Sequence, residues 1–130
     1  MDKIAHCCLI NGGPGPSIMP KIIMEELGLS CTNEKAKSML SYSSLHQTTI
    51  GEIKDVTLVL CAHPEIRTTL NIQVIDMLVS NYSIILGRYW QDLIGGYLSL
   101  DGTHLSIPRN GKNIIVLREG RILPYIQSVP

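Results

Sequence analysis

The side chains able to do chemistry are few, and the one in the most telling place is an amide. Asn11 closes the apolar run Ile4 to Ile10 and precedes Gly12-Gly13-Pro14-Gly15-Pro16, a run that neither continues a strand nor starts a helix. A polar side chain therefore stands at the mouth of a stiff, glycine-rich loop. An amide donates and accepts hydrogen bonds, but it cannot take up a proton as a base. Two carboxyl groups a few Å apart can divide acid and base work between them, because mutual repulsion forces their pKa values apart. Asp76, Asp92 and Asp101 are the acids near strand ends. Asp101 precedes Gly102 and reads as a hairpin turn residue, and Asp76 reads as a strand terminus, which argues against an intramolecular pair. His6, His46, His63 and His104 lie far apart without ligand spacing, Cys7 and Cys8 are adjacent, and Cys31 and Cys61 stand alone. That is not the paired short spacing of a zinc site, so no metal and no cofactor is expected. The serines lack the strand-to-helix setting of a nucleophile.

These residues are carried by a chain of 130, long enough for one hydrophobic core, so a single domain over 1–130 is expected. Eleven basic and eleven acidic residues give a formal net charge of zero, which removes the long-range attraction to phosphates and argues against a nucleic-acid partner. Arg118 and Arg121 flank a turn, and Lys35 and Lys37 sit in a polar stretch, as solvated surface does. No run has membrane-spanning length and the start lacks a signal-peptide pattern, so no membrane partner and a cytoplasmic setting are expected. One of Cys7 and Cys8 should enter the core, because neighbours on a strand point to opposite faces. That suits a reducing compartment.

Positioning is the work of many short strands. Ile4 to Ile10 reads as a strand feeding the loop. Met19, Ile23 and Leu27 then recur at helical spacing after Pro20, with Gly28 placed to end a short helix. Met39 to Ser44 and Gln47 to Ile53 form the arms of a hairpin. Val56, Leu58 and Leu60 alternate with Thr57, Val59 and Cys61, and Leu70, Ile72 and Val74 with Asn71 and Gln73, so each stretch is a strand with one face in the core. His63-Pro64-Glu65 reads as the turn between them. Ser83 to Leu86 is an apolar run ended by Gly87-Arg88, and Tyr89 to Leu93 has room for a turn or two of helix before Gly95-Gly96. Leu98 and Leu100 are mirrored by Leu105 and Ile107 across Asp101-Gly102, and a last strand runs from Ile114 to Leu117. The pattern points to a closed or folded-over β structure. Cys8 to Gly13 and Ser83 to Arg88 share one plan: strand, glycine turn, helical segment.

Three ordered segments carry a resemblance. They are Leu9-Ile10-Asn11-Gly12-Gly13 through Ser17-Ile18-Met19-Pro20 and Leu27-Gly28-Leu29; Thr49 to Val56; and Val74-Ile75-Asp76-Met77 with Ile84-Ile85-Leu86-Gly87-Arg88. Over roughly residues 5 to 107 the chain resembles the retropepsin-like aspartic proteases of long-terminal-repeat retrotransposons, particularly the Ty3/gypsy type found in plants. The resemblance implies an all-β, retropepsin-like closed barrel with one or two short helices. It also implies a homodimer in which each subunit gives one aspartate to a shared cleft, in the cytoplasm or within retroelement particles. The catalytic loop would be Asn11, Gly12 and Gly13, with Asn11 where the family has aspartate; Pro14 and Pro16 depart from the small or apolar residues usual there. A flap would span about 39–50, with Met39, Tyr42, Ser43, Ser44, Leu45 and the floor residue Ile84 touching substrate. Gly87 would be a structural turn and Arg88 a tie to the subunit interface.

The function implied is that of an aspartic endopeptidase domain acting on a peptide or polyprotein at the dimer cleft, inactive as written because two copies of Asn11 supply no base. The alternative is a non-enzymatic module of the same fold that binds extended peptides by strand addition; a third reading is a β domain that merely dimerises. The C-terminal strand and tail, 111–130, carry Ile122, Leu123, Tyr125 and Ile126 close together, enough apolar side chain to suggest that the tail forms the dimer interface.

Overall fold

Alternation with a period of two builds the longest elements, and glycine at the right places ends the short ones. The computed structural model describes residues 2–4, 8–10, 15–32, 39–42, 45–60, 63–76, 83–117 and 124–127, giving the backbone course alone for 2–4, 39–42, 45–48 and 124–127. In chain order the elements are β1 (Asp2–Ile4), β2 (Leu9–Ile10), β3 (Ser17–Pro20), α1 (Lys21–Glu26), β4 (Met39–Tyr42), β5 (Leu45–Leu60), β6 (His63–Ile75), β7 (Ile85–Leu86), α2 (Arg88–Ile94), β8 (Tyr97–Leu98), β9 (His104–Arg109), β10 (Lys112–Leu117) and β11 (Pro124–Gln127).

The spine is the antiparallel pair β5–β6, in register at Ile53 with Ile72, Val56 with Leu70 and Leu58 with Thr68. An irregularity between Ile53 and Val56 is absorbed by Asp55, which takes φ 57, a conformation aspartate tolerates better than most residues. Its N–H donates to Asn71 Oδ1 at 3.0 Å, so the bulge leaves no bare donor. His63-Pro64-Glu65 is not the turn expected of it but the start of β6, with Leu60 opposite His63. Proline is tolerated there because the first residues of a strand need not donate to the ladder.

The large sheet has eight strands in the order β1-β11-β5-β6-β3-β7-β2, with β4 paired to β5 off that path, and β10-β9-β8 form a separate three-stranded sheet. The expected closed barrel is therefore not formed. Closure needs an unbroken ladder around the circumference, yet among the described residues the path ends at β1 on one side and β2 on the other. β2 is two residues long and pairs in parallel with β7, leaving little backbone to pair with β1. The sheet is also mixed, since β3 runs parallel to β6. Ile4 to Ile10, expected as one strand, supplies both ends of this path.

One large cluster fills the interior, including Ile10, Met19, Ile72, Val74, Leu86 and Leu105. Trp90, 1% exposed, enters it from α2; a buried aromatic of this size contributes about 4–6 kcal/mol by area before entropy is charged. Both helices are short and end the same way. After α1, the N–H groups of Gly28 and Leu29 donate to the carbonyls of Glu25 and Met24, and after α2 those of Gly95 and Gly96 donate to Asp92 and Gln91. Gly28 and Gly95 take φ 71 and 67, the left-handed turn that lets a helix satisfy its last carbonyls. Met19, placed on the helix by its spacing, is instead a buried residue of β3.

In the small sheet Tyr97 faces Ser106 and Leu98 faces Leu105. Leu100, expected to mirror a core residue, lies in the turn and is fully exposed. Strands β9 and β10 are joined by Asn110-Gly111, with Arg109 opposite Lys112 and both turn residues at positive φ, the arrangement that matches strand twist in a two-residue hairpin. The expected C-terminal tail divides: Ile114 to Leu117 lie in β10, and β11 inserts between β1 and β5 of its own sheet.

Candidate functional site

Residues 11–14, with Asn11, Gly12 and Gly13, lie outside the described residues, but both of their attachments are described and both are held by one segment. On entry, Leu9 pairs with Ile85 and Ile10 with Leu86, and Leu9 N–H donates to the Ile84 carbonyl at 3.0 Å. On exit, Tyr89 N–H donates to the Gly15 carbonyl at 2.9 Å, and Gly87 N–H donates to Ser17 Oγ at 3.0 Å. Ser17 is 1% exposed, so this bond is made away from water, where losing either partner is costly. The approach is close enough that a Cβ on Gly87 would fall on the backbone carbonyl oxygens of Pro16 and Gly15. Glycine is required here for space. The stretch from Ile84 to Tyr89 thus fixes where Asn11 starts and where the loop ends.

Adjacent strand residues point to opposite faces, and that decides which side chains form a floor beside the loop. Ile84, the floor residue expected from sequence, belongs to the main core with Ile10, Leu86 and Trp90 and has no exposed surface. On the opposite face Leu9, Ile18, Ile75 and Ile85 form a second apolar cluster, each 5% exposed or less. The four come from β2, β3, β6 and β7, the strands that flank the loop. Thr49 of the hairpin strand β5 pairs with Ile75, so the hairpin joins the sheet at the edge of this floor. Of the residues assigned to the flap, Met39, Tyr42 and Leu45 lie on strands β4 and β5, with Met39 opposite Thr48 and Tyr42 opposite Leu45. Ser43 and Ser44, between them, lie outside the described residues.

Gly87 precedes α2, and Arg88 opens the helix with its side chain at the surface, where Nε donates to Asp92 Oδ1 at 3.0 Å. That is an exposed pair four residues apart, worth a few tenths of a kcal/mol. Asp101 sits in the β8–β9 turn, and Asp76 is exposed at the end of β6. Sequence reasoning missed Ser17, Gly15 and Tyr89. A small polar residue just before an apolar strand, and an aromatic directly after Leu86-Gly87-Arg88, were the available signals. Neither has meaning until β3 and β7 are known to be neighbours. A separate open cleft of about 510 Å³ beside α1 is lined by Lys21, Met24, Glu25, Leu29, Ser30, Cys31, Ile50 and Asp76, and shares none of these residues with the floor.

No family model matches the chain, and no curated protein matches it. Among solved structures, it is similar to the crystal structure of the retroviral protease-like domain of Ddi1 from Leishmania major, with 16% identity and a TM-score of 0.58 over 89% of this chain and 94% of that one. A match of that extent shows a likeness of overall fold. The chain has a retropepsin-like fold.

Proposed function

We propose that the chain is a retropepsin-fold module that holds an extended peptide between the β4–β5 hairpin and the aliphatic floor without hydrolysing it. The observation that carries this is Asn11: the residue that follows the held strand end Ile10 is an amide, and an amide has the hydrogen-bonding capacity to grip a peptide carbonyl but no means of accepting a proton from water. The floor of Leu9, Ile18, Ile75 and Ile85 favours apolar side chains, and strand addition to the hairpin would supply main-chain hydrogen bonds. Because the four are covered in this structure, binding requires the covering chain to give way. A cytoplasmic or particle-internal setting and a homodimer belong to the same proposal.

A second reading has one specific support. Both loop attachments are tied by hydrogen bonds to the segment from Ile84 to Tyr89, and a homodimer with aspartate at position 11 would carry two carboxylates. That would make the chain an inactive form of an aspartic endopeptidase of a retroelement polyprotein. The test is Asn11→Asp, with peptide binding by fluorescence anisotropy and cleavage by intact mass from pH 4 to 7. The proposal expects the unaltered chain to bind extended apolar peptides without cutting them, and Asn11→Asp to bind without turnover as well. Acid-leaning hydrolysis by Asn11→Asp would transfer the assignment to the endopeptidase, and no binding of any peptide by the unaltered chain would sink the module.

A further inference from the structure

The cleft beside α1 brings two sulfur atoms together. Cys31 Sγ lies 3.8 Å from Met24 Sδ, and both residues line the open space of about 510 Å³. Met24 is fixed in the core at 7% exposure, whereas Cys31 is half-buried and carries a thiol. Their meeting follows from how α1 ends. Gly28 at φ 71 turns the chain back, Leu29 N–H returns to the Met24 carbonyl at 3.0 Å, and Cys31 arrives beside the residue seven positions before it. The next residue is pinned as well: Thr32 N–H donates to the Glu52 carbonyl at 2.7 Å, and Thr32 Oγ1 accepts from Lys54 N–H at 3.1 Å. Cys31 is therefore held between two anchored points, and the sulfurs stand together before any ligand arrives.

We infer that Met24 and Cys31 form a site for a soft monovalent metal ion, copper(I). A thiolate and a thioether are the ligands such an ion prefers and that hard cations refuse. With metal–sulfur bonds of about 2.3 Å, sulfurs 3.8 Å apart subtend about 110° at a shared ion, which leaves room in the cleft for a third ligand. Binding forms a bond from the metal to the Cys31 thiolate and the thiol proton leaves to solvent; neither sulfur changes oxidation state. Two carboxylates, Glu25 and Asp76, share the cleft wall with one ammonium, Lys21, a balance that favours a cation over an anion. Cysteine spacing in the sequence does not reveal the pair, because one of its ligands is a methionine. The site shares no residue with the floor of Leu9, Ile18, Ile75 and Ile85, so metal binding and peptide binding are separable.

Two measurements on the whole chain, reduced and kept free of oxygen, test the site. The first follows the methyl resonances of the five methionines by NMR while silver(I), a redox-stable soft ion, is added up to one equivalent per cysteine. Met24→Leu, which nearly conserves volume and so preserves the fold, identifies the Met24 signal. The second counts the copper(I) ions that the unaltered chain, Met24→Leu and Cys31→Ser hold against the chelator bicinchoninate. The expected result is a Met24 methyl that shifts as silver(I) is added and does not shift in Cys31→Ser. Copper(I) uptake should fall by one ion in Cys31→Ser, and Met24→Leu should hold that ion roughly tenfold more weakly. Equal copper(I) uptake by the unaltered chain and folded Cys31→Ser overturns the inference, as does undiminished affinity in Met24→Leu. Should Cys31→Ser fail to fold, a Met24 methyl that stays in place throughout the silver(I) titration of the unaltered chain overturns it alone.

Discussion

The foot of the Asn11 loop and the β8–β9–β10 sheet are built by opposite means. At the foot, strands of two to four residues meet from distant parts of the chain: the bond from Gly87 to Ser17 spans 70 positions. None of these strands would persist alone; each is held by burial on both faces and by the others. The three-stranded sheet is local. Its strands follow one another, its turns carry their own chemistry, and its outer face leaves Tyr97, Ile115 and Leu117 about half exposed. The first region cannot yield at one point without moving its neighbours, whereas the second is assembled from separable parts. A site that must hold one residue in a fixed place is better served by the first.

Gly87→Ala is the substitution expected to do most harm. The new methyl meets backbone oxygens of Pro16 and Gly15, which have no side-chain freedom to retreat, so the β7–α2 junction must separate from the loop exit. Overpacking of this kind costs about 3 kcal/mol or more, and urea denaturation measures it. A loss below about 1 kcal/mol would mean that the junction is compliant and the contrast between the two regions false. Ser17→Ala comes next. It removes the acceptor and leaves the buried Gly87 N–H unpaired, a cost of about 1–3 kcal/mol. Ser17→Thr, which keeps the hydroxyl, separates the hydrogen bond from the space it occupies. If Ser17→Ala denatures with the unaltered chain, the bond contributes nothing to holding the loop.

What the sequence disclosed follows the same division. Local devices were legible: the helix ended by Gly28, the break at Gly95-Gly96, the alternation along β5 and β6, the turn at Asp101-Gly102. Even so, Asn110-Gly111 is as strong a hairpin dipeptide as Asp101-Gly102, and Leu100, mirrored on the far strand by alternation, lies in the turn and is exposed. Ile84 and Ile85 are chemically identical, and only the pairing of β7 with β2 and β3 decides which of them faces the main core. Ser17 and Tyr89 were invisible for a related reason, since their roles exist only across long chain separations. The closed barrel was implied by the resemblance, and neither a resemblance nor a count of strands reports whether the two end strands are long enough to meet.

The smallest expected effect is the pH dependence carried by the Asp101 turn. Ser99 Oγ donates to Asp101 Oδ1 at 2.6 Å, and Thr103 donates to the same oxygen from its N–H at 3.0 Å and its hydroxyl at 2.8 Å. These bonds, that from Ser99 first, lower the pKa of Asp101 from 3.8 to about 2. The folded value lies below the unfolded one, so the ionised carboxylate adds stability that is fully present above pH 3.8 and disappears as pH falls from there through about 2. Because the group is fully exposed, solvent screens the effect and it should be small. Asp101→Asn removes the titration while keeping a side chain that can accept one of the bonds. The gap in melting temperature between the unaltered chain and this variant should therefore be widest near pH 5 and close towards pH 2. A gap that stays constant over that range would show that the turn is held by its backbone and by Gly102 at φ 72, and that the separable parts of the small sheet do not include this carboxylate.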